Sequence, residues 1–180
     1  MKKTMKKALL LLLALALCAS VLAGCGGGKT PATPEEVKGE TYDAGEFTVL
    51  VPDGWKEFPV SDTLDEYDGD YDPTALQICK GGDSEWDLFS KPYVQINYYP
   101  DNTMYTDMKD FYDDTADLEP IQAGGYTWNG FTGTSLDTPM AVIWTTGDVQ
   151  LQVTMSLGED DPITATDADV LAILGSIVIK

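Results

Sequence analysis

The stretch VQLQVTMSL, residues 149–157, decides the fold class, because its apolar and polar residues alternate without a break. An alternation with a period of two places successive side chains on opposite faces of a β-strand. One dry face and one polar face are typical of antiparallel sheets, which need to bury only one side. We therefore predict a strand here, within an antiparallel sheet.

Strand signals recur along the rest of the chain. Alternation of the same kind surrounds Phe47 and Val94, and other runs are bounded by turns that contain glycine. Besides 149–157, the predicted strands are 47–51, 74–79, 94–98, 118–122, 126–134 and 139–146, with turns at Gly124-Gly125 and 146–148.

Two segments have the apolar spacing of an amphipathic helix instead. They are residues 104–118 and 166–177, where apolar positions recur every three or four residues. In the second segment, Thr166 and Asp169 form a capping-box pattern. Together with about six or seven strands, these helices predict an α+β domain with an antiparallel sheet and helices packed on its faces.

Two short motifs within these elements resemble PsbP-like domains. The segment FTVLVPDGW, residues 47–55, is similar to their opening "F-x-V-x-V-P-x-G-W", and DVLAILGSI, residues 169–177, is similar to their ending "D-x-x-x-I-L-x-S-I". The resemblance implies that residues 42–180 form a PsbP-like α/β/α sandwich. It also implies a binding or scaffold role and supplies no catalytic motif. A photosynthetic function does not follow from the fold.

The amino terminus has the pattern of an export signal. Four lysines within the first seven residues precede an apolar run of sixteen residues, 8–23, which is shorter than the roughly 20 residues of a spanning helix. The run ends in Leu22-Ala23-Gly24-Cys25, which resembles the lipobox of bacterial lipoproteins. This resemblance implies cleavage between Gly24 and Cys25, a diacylglyceryl group on the Cys25 thiol, and acylation of the new terminus. Ordinary secretion after an A-x-A-like site is the alternative.

These patterns divide the chain into three parts. Residues 1–24 are the predicted lipoprotein signal peptide, 25–41 a flexible tether of Gly, Pro and Glu, and 42–180 a single domain. We expect the domain to be anchored by covalent lipid on the extracytoplasmic face of the cell membrane. Several acyl chains make such anchoring stable, whereas one chain is marginal.

Charge and missing residue types restrict the possible functions. The chain has no His and no Arg, and its formal net charge is −19 because 30 acidic residues face only 11 lysines. That charge disfavours nucleic acid and anionic headgroups, and it suits a cation or a basic protein partner. Without His, a Ser-His-Asp or Cys-His nucleophile is excluded. Cys79, the remaining cysteine of the domain, is expected to be a small buried hydrophobe. We therefore predict that the domain is not an enzyme.

An acidic loop is the first candidate site. Asp65, Asp68, Asp70 and Asp72 lie close together beside Gly69, and oxygen-rich loops of this kind can bind calcium. The spacing does not match an EF-hand, so a solvated loop without metal is the alternative.

The predicted helix at 104–118 is the second candidate site. Asp107, Asp110, Asp114 and Asp117 would line one flank of it, where like charges four residues apart destabilise a helix. We expect this flank either to dock a basic partner or to be a solvated surface.

Carboxylates and aromatic residues leave two further possibilities open. Paired acids across a cleft could act as a hydrolase. Aromatic residues could line a groove for sugar or peptide, and the candidates are Tyr67, Tyr71, Trp86, Tyr93, Tyr99, Tyr105 and Trp128. Trp55, Trp128 and Trp144 are expected in the core. The leading hypothesis is a lipid-anchored, non-enzymatic binding or scaffold module; a calcium-binding protein and a carboxylate-based hydrolase are the alternatives.

Overall fold

A computed structural model describes residues 37–61 and 71–180, in which there are eleven β-strands, one α-helix and two 3-10 helices. The strands are β1 (Gly39–Asp43), β2 (Phe47–Pro52), β3 (Trp55–Ser61), β4 (Tyr71–Lys80), β5 (Tyr93–Tyr98), β6 (Asp113–Asp117), β7 (Ile121–Ala123), β8 (Tyr126–Ser135), β9 (Thr138–Thr145), β10 (Leu151–Ser156) and β11 (Val178–Ile179). The helices are the first 3-10 helix (Glu85–Phe89), the second 3-10 helix (Lys109–Phe111) and α1 (Ala168–Ser176).

The strands form two antiparallel sheets. The small sheet has the order β1-β2-β11, and the large, eight-stranded sheet has the order β3-β4-β5-β10-β9-β8-β6, with β7 also paired to β8. The prediction of a sheet-rich α+β fold is confirmed, although the described residues contain more strands and fewer helices than the sequence predicts. None of their helices has the length and apolarity needed to cross a membrane.

The alternating stretch that predicts the fold lies at the centre of the large sheet. Val153 of β10 pairs with Ile96 of β5 on one side and with Ile143 of β9 on the other. All three side chains are buried in the main core. Their neighbours Gln152 and Thr154 point to the opposite face, as the period of two requires. The large sheet therefore has one apolar face and a second, more polar face.

The apolar face is covered by the small sheet and α1. Phe47 and Val49 of β2, Ile173 and Leu174 of α1, and Trp128 of β8 are all fully buried in one hydrophobic cluster. The Gly124-Gly125 turn fits closely here: both glycines have positive φ, and a Cβ on Gly124 would lie 2.8 Å from the Leu174 carbonyl oxygen. The predicted turn at this point is confirmed.

The predicted helix at 104–118 is wrong. Its carboxyl-terminal part is β6, which pairs with β8 at the edge of the large sheet. Only Lys109–Phe111 is helical, as a 3-10 turn. Asp114 has φ of 50°, which an α-helix does not permit, and the register of β6 shifts between Asp113 and Ala116. Repulsion between its aspartates would weaken a helix in this segment, whereas pairing with β8 satisfies the backbone hydrogen bonds of β6.

The second predicted helix is confirmed as α1, but its predicted cap is wrong. The N-cap residue is Asp167, not Thr166. Asp169 does not complete a capping box; its carboxylate accepts a hydrogen bond of 3.0 Å from Nε1 of Trp55. The start of α1 is thereby joined to the first residue of β3.

The first strand begins inside the segment predicted to be the tether. β1 begins at Gly39, inside the segment 25–41 that the sequence assigns to the tether, and pairs along its whole length with β2. A Cβ on Gly39 would lie 2.1 Å from the Val51 carbonyl oxygen, so the glycine is required by this close approach.

Candidate functional site

Most of the residues predicted to carry chemistry near the amino terminus and in the acidic loop lie outside the described residues. These are Gly24, Cys25, Asp65, Asp68 and Asp70. The lipidation site, the cleavage site and most of the calcium site therefore stay predictions.

Asp72, the last predicted calcium ligand, lies in β4 and has a structural role. Its Oδ1 accepts hydrogen bonds from the backbone N–H of Thr74 at 2.8 Å and from the Thr74 hydroxyl at 2.6 Å. Among residues 37–61 and 71–180, no three acidic or cysteine side chains lie close enough to hold a metal ion.

The four acids predicted to dock a basic partner do not share one flank. Asp107 precedes the second 3-10 helix, Asp110 is inside it, and Asp114 and Asp117 belong to β6. Asp107 and Asp117 line one depression of about 380 Å³, where Asp117 forms an ion pair of 2.5 Å with Lys109. The acids are therefore divided between elements, and one of them is already neutralised.

Acids also share a second depression, beside Trp55. Glu40, Asp53 and Glu57 line it, and its volume is about 220 Å³. Glu40 and Asp53 are exposed to solvent, so these two acids are hydrated and not enclosed in a cleft.

The second face of the large sheet carries a row of amide side chains. Gln77 of β4 donates to Gln95 of β5 at 3.1 Å, and Gln95 donates to Asn97 at 3.2 Å. Farther along, Gln152 of β10 donates to the Tyr105 carbonyl at 2.8 Å. No α-helix covers this face among the described residues, and part of it is covered by the segment around Tyr105.

An aromatic groove lies at the β3 end of this face. Its volume is about 430 Å³, and β3, β4, β5 and the first 3-10 helix line it. The lining residues, here called the aromatic groove, are Phe58, Pro59, Val60, Ser61, Tyr71, Gln77, Glu85, Leu88, Phe89 and Tyr93. Burial raises the pKa of the Tyr93 phenol, so this ring stays uncharged at neutral pH.

Two large apolar side chains at the groove are exposed to solvent: Phe89, which lines it, and its neighbour Trp86. Trp86 is 80% exposed and Phe89 is 84% exposed, and their ring centroids are 6.0 Å apart. Tyr71, across the groove, is 61% exposed. Contiguous exposed apolar surface of this kind marks interaction sites in soluble domains.

The turn that carries Trp86 and Phe89 is braced by Asp87. One carboxylate oxygen accepts hydrogen bonds from the backbone N–H groups of Asp83 and Ser84, and the other forms a 3.0 Å ion pair with Lys91. Hydrogen bonds from the Asp83 and Ser84 N–H groups, followed by the one from Lys91, hold the pKa of Asp87 well below its usual range. The exposed rings therefore stand on a fixed turn.

No family model matches the sequence, and no curated protein matches it. A crystal structure from Bacteroides thetaiotaomicron VPI-5482 is similar with a TM-score of 0.44 and 11% identity, covering 79% of this chain and 48% of that one. This chain thus spans about half the length of the Bacteroides protein. The solution structure of cyanobacterial PsbP (CyanoP) from Synechocystis sp. PCC 6803 is similar with a TM-score of 0.41 and 14% identity, covering 88% of this chain and 99% of that one. At these values neither similarity assigns a function to this chain.

The aromatic groove contains some of the aromatic residues that the sequence marks as candidates. Tyr71 and Tyr93 are among these candidates and line the groove. Trp86 does not line it, but its ring packs near that of Phe89, which does. Trp128 and Trp55 are buried, as expected, whereas Trp144, also expected in the core, is only partly buried. The structure places the remaining described candidates away from this groove, and Tyr67 lies outside the described residues.

The cysteine of the domain is where the sequence predicts. Cys79 is free and fully buried under Gly82, where an added Cβ would lie 3.1 Å from the sulfur. Burial raises the pKa of this thiol. A thiol that is protonated and inaccessible cannot serve as a nucleophile.

We expect the substitution Asp87→Asn to loosen the turn without unfolding the domain. The neutral amide loses the ion pair with Lys91 and weakens the bonds from Asp83 and Ser84. Backbone amides of residues 83 and 84 should then exchange hydrogen faster, with a melting temperature close to the parent. Because the pKa of Asp87 is lowered, the carboxylate supports the turn above the ordinary aspartate pKa and loses this effect only as pH falls through the lowered value. The matched control is Asp83→Asn, and equal exchange in the two variants would contradict the bracing role.

Proposed function

We propose that this chain is a lipid-anchored, extracytoplasmic binding module without catalytic activity, and that its ligand docks in the aromatic groove. The anchor follows from the lipobox at Leu22-Ala23-Gly24-Cys25. The observation that carries the binding role is the exposure of Trp86 and Phe89 on a turn that Asp87 holds fixed.

Stability does not account for this arrangement. Burying a large apolar side chain such as phenylalanine contributes about 1.5–3 kcal/mol to the free energy of unfolding. Trp86 and Phe89 make no such contribution, because both are exposed. Two hydrogen bonds from backbone N–H groups and an ion pair, all to Asp87, nevertheless hold the turn that carries these rings. A ligand that covers the rings would recover the buried apolar area, with little ordering of the turn on binding.

The PsbP-like motifs at 47–55 and 169–177 add support, because members of that family mostly bind or scaffold other molecules. The absence of His and Arg adds support for a role without catalysis, since it removes the commonest catalytic groups.

Site-directed photocrosslinking tests this proposal. A photoreactive phenylalanine analogue is placed at Phe89 of the full chain, in the cells that produce it, and a matched chain carries the analogue at Leu136. Leu136 is 96% exposed in the turn between β8 and β9 and does not line the groove. We expect an adduct at position 89 that is missing at position 136. No adduct at 89, or the same adducts at both positions, would overturn the proposal.

A further inference from the structure

The walls of the aromatic groove have an unusual chemical bias. Four of the ten lining residues are aromatic, namely Phe58, Tyr71, Phe89 and Tyr93, and none is a lysine. Aromatic rings carry negative potential on their faces, so a cluster of them attracts cations. The groove has the potential of a cation-binding cleft.

One carboxylate in the groove is uncommitted. Glu85 lies at the start of the first 3-10 helix and has no hydrogen bond or ion pair with any residue of the described ranges. Neither of the two lysines nearby is paired with Glu85. Lys56 donates to the Asp83 carbonyl at 2.6 Å, and Lys91 donates to the Gly81 carbonyl at 2.6 Å. The negative charge of Glu85 is therefore available to a ligand.

One ring of the groove already has a cation beside it. Nζ of Lys56 lies 5.5 Å from the centroid of the Phe58 ring, which is within the distance at which a cation and a ring attract. Phe58 is buried and its ring already has this ammonium beside it, so the ring forms the wall of the groove and leaves the cation contacts to the more exposed aromatic residues.

The polar groups of the groove also exclude other ligands. Anions are repelled by Glu85 and by the charge of the whole domain. A sugar needs several donors and acceptors, but an N–H of Gln77 is already bonded to Gln95. A primary ammonium needs about three acceptors to replace its water, more than these apolar walls provide. A quaternary ammonium has no N–H and binds through aromatic faces and one negative charge.

We propose that the aromatic groove binds a quaternary ammonium group, held against the rings of Tyr71, Phe89 and Tyr93 and paired with Glu85. This ligand class rests on the proposed binding function and makes it more specific. The volume of about 430 Å³ lies within the range of small-molecule sites, so the group fits with room for a polar substituent.

Choline and its neutral carbon isostere, 3,3-dimethylbutan-1-ol, provide a matched pair of probes. Each is titrated into the full chain, solubilised in detergent at constant ionic strength, and binding is followed by calorimetry. We expect saturable choline binding in the millimolar range and at least severalfold weaker binding of the isostere. No saturable choline binding, or equal binding of the two probes, would overturn the ligand class.

Three variants locate the site. Phe89→Ala and Glu85→Gln should each weaken choline binding by about two- to fivefold, the size of a solvent-accessible cation–aromatic contact. The control is Phe111→Ala, because Phe111 is 68% exposed and does not line the groove. All three positions are on the surface, so unchanged melting temperatures verify folding. An equal loss in Phe111→Ala would contradict the location.

The outcomes separate this inference from the proposed function. If choline fails to bind while the crosslink at position 89 persists, the binding module stands and the quaternary ammonium is wrong. If the crosslink also fails, the groove itself is not the binding site.

Discussion

Cys25→Ser is expected to abolish lipid attachment to the chain completely. The diacylglyceryl group is transferred to a thiol, and a serine hydroxyl at the same position is far less nucleophilic. Each buried methylene contributes about 0.8 kcal/mol, so several acyl chains hold a protein at the bilayer. A protein without acyl chains lacks this attachment. The chain of this variant should carry no added acyl mass.

Intact-mass measurement of the membrane-extracted protein checks this directly. The parent should start at Cys25 and carry the mass of its acyl groups, while Cys25→Ser should carry none. Cys79→Ser is the matched control, because Cys79 is free but fully buried in β4, and its lipid mass should equal that of the parent. A parent without lipid mass would show that the lipobox resemblance is wrong.

Trp128→Ala should cause a large loss of stability. Trp128 is fully buried in β8, packs edge-to-face on Tyr126 with centroids 6.1 Å apart, and donates to the Ala123 carbonyl at 3.2 Å. Truncating such a side chain leaves a cavity and costs about 3–5 kcal/mol. Domains of this kind have only about 5–15 kcal/mol in total, so a large share of the free energy of unfolding is lost.

Trp86→Ala is the matched control, because the same side chain is removed from a position that is 80% exposed. It should change the free energy of unfolding by less than about 0.5 kcal/mol. Urea denaturation of both variants, followed by circular dichroism, measures the difference. Equal midpoints would mean that Trp86 is packed or that Trp128 is not in the core.

Sequence periodicity predicted the central strands well because their packing is simple. Strands such as β5 and β10 have neighbours on both sides and one buried face, so burial imposes a period of two. The outer strand β3 has its buried Trp55 and Phe58 three residues apart and contains Pro59, so it lacks that period. β6 was missed for a different reason: all five of its residues are exposed, and only its pairing with β8 makes it a strand.

The aromatic groove could be predicted only in part, for a topological reason. Tyr71, Trp86 and Tyr93 come from β4, the first 3-10 helix and β5, and composition alone marks them as candidates. Their convergence depends on the pairing of β4 with β3 and β5, which a single sequence does not reveal. The sequence does not mark Phe58, because β3 lacks the alternation that predicts a strand. It does not mark Phe89 either, because the exposure of this ring depends on a turn held by hydrogen bonds to Asp87, which have no sequence pattern of their own.

The two outer strands of the large sheet also bear on how crowded copies of the protein behave. Lipid anchoring would confine many copies to one surface, where open sheet edges could join molecule to molecule and grow into aggregates. Pro59 gives β3 one donor fewer for such pairing, and the acids and shifted register of β6 oppose it at the other edge. If the chain is lipid-anchored as proposed, these two edges of the large sheet would oppose strand pairing between neighbouring copies.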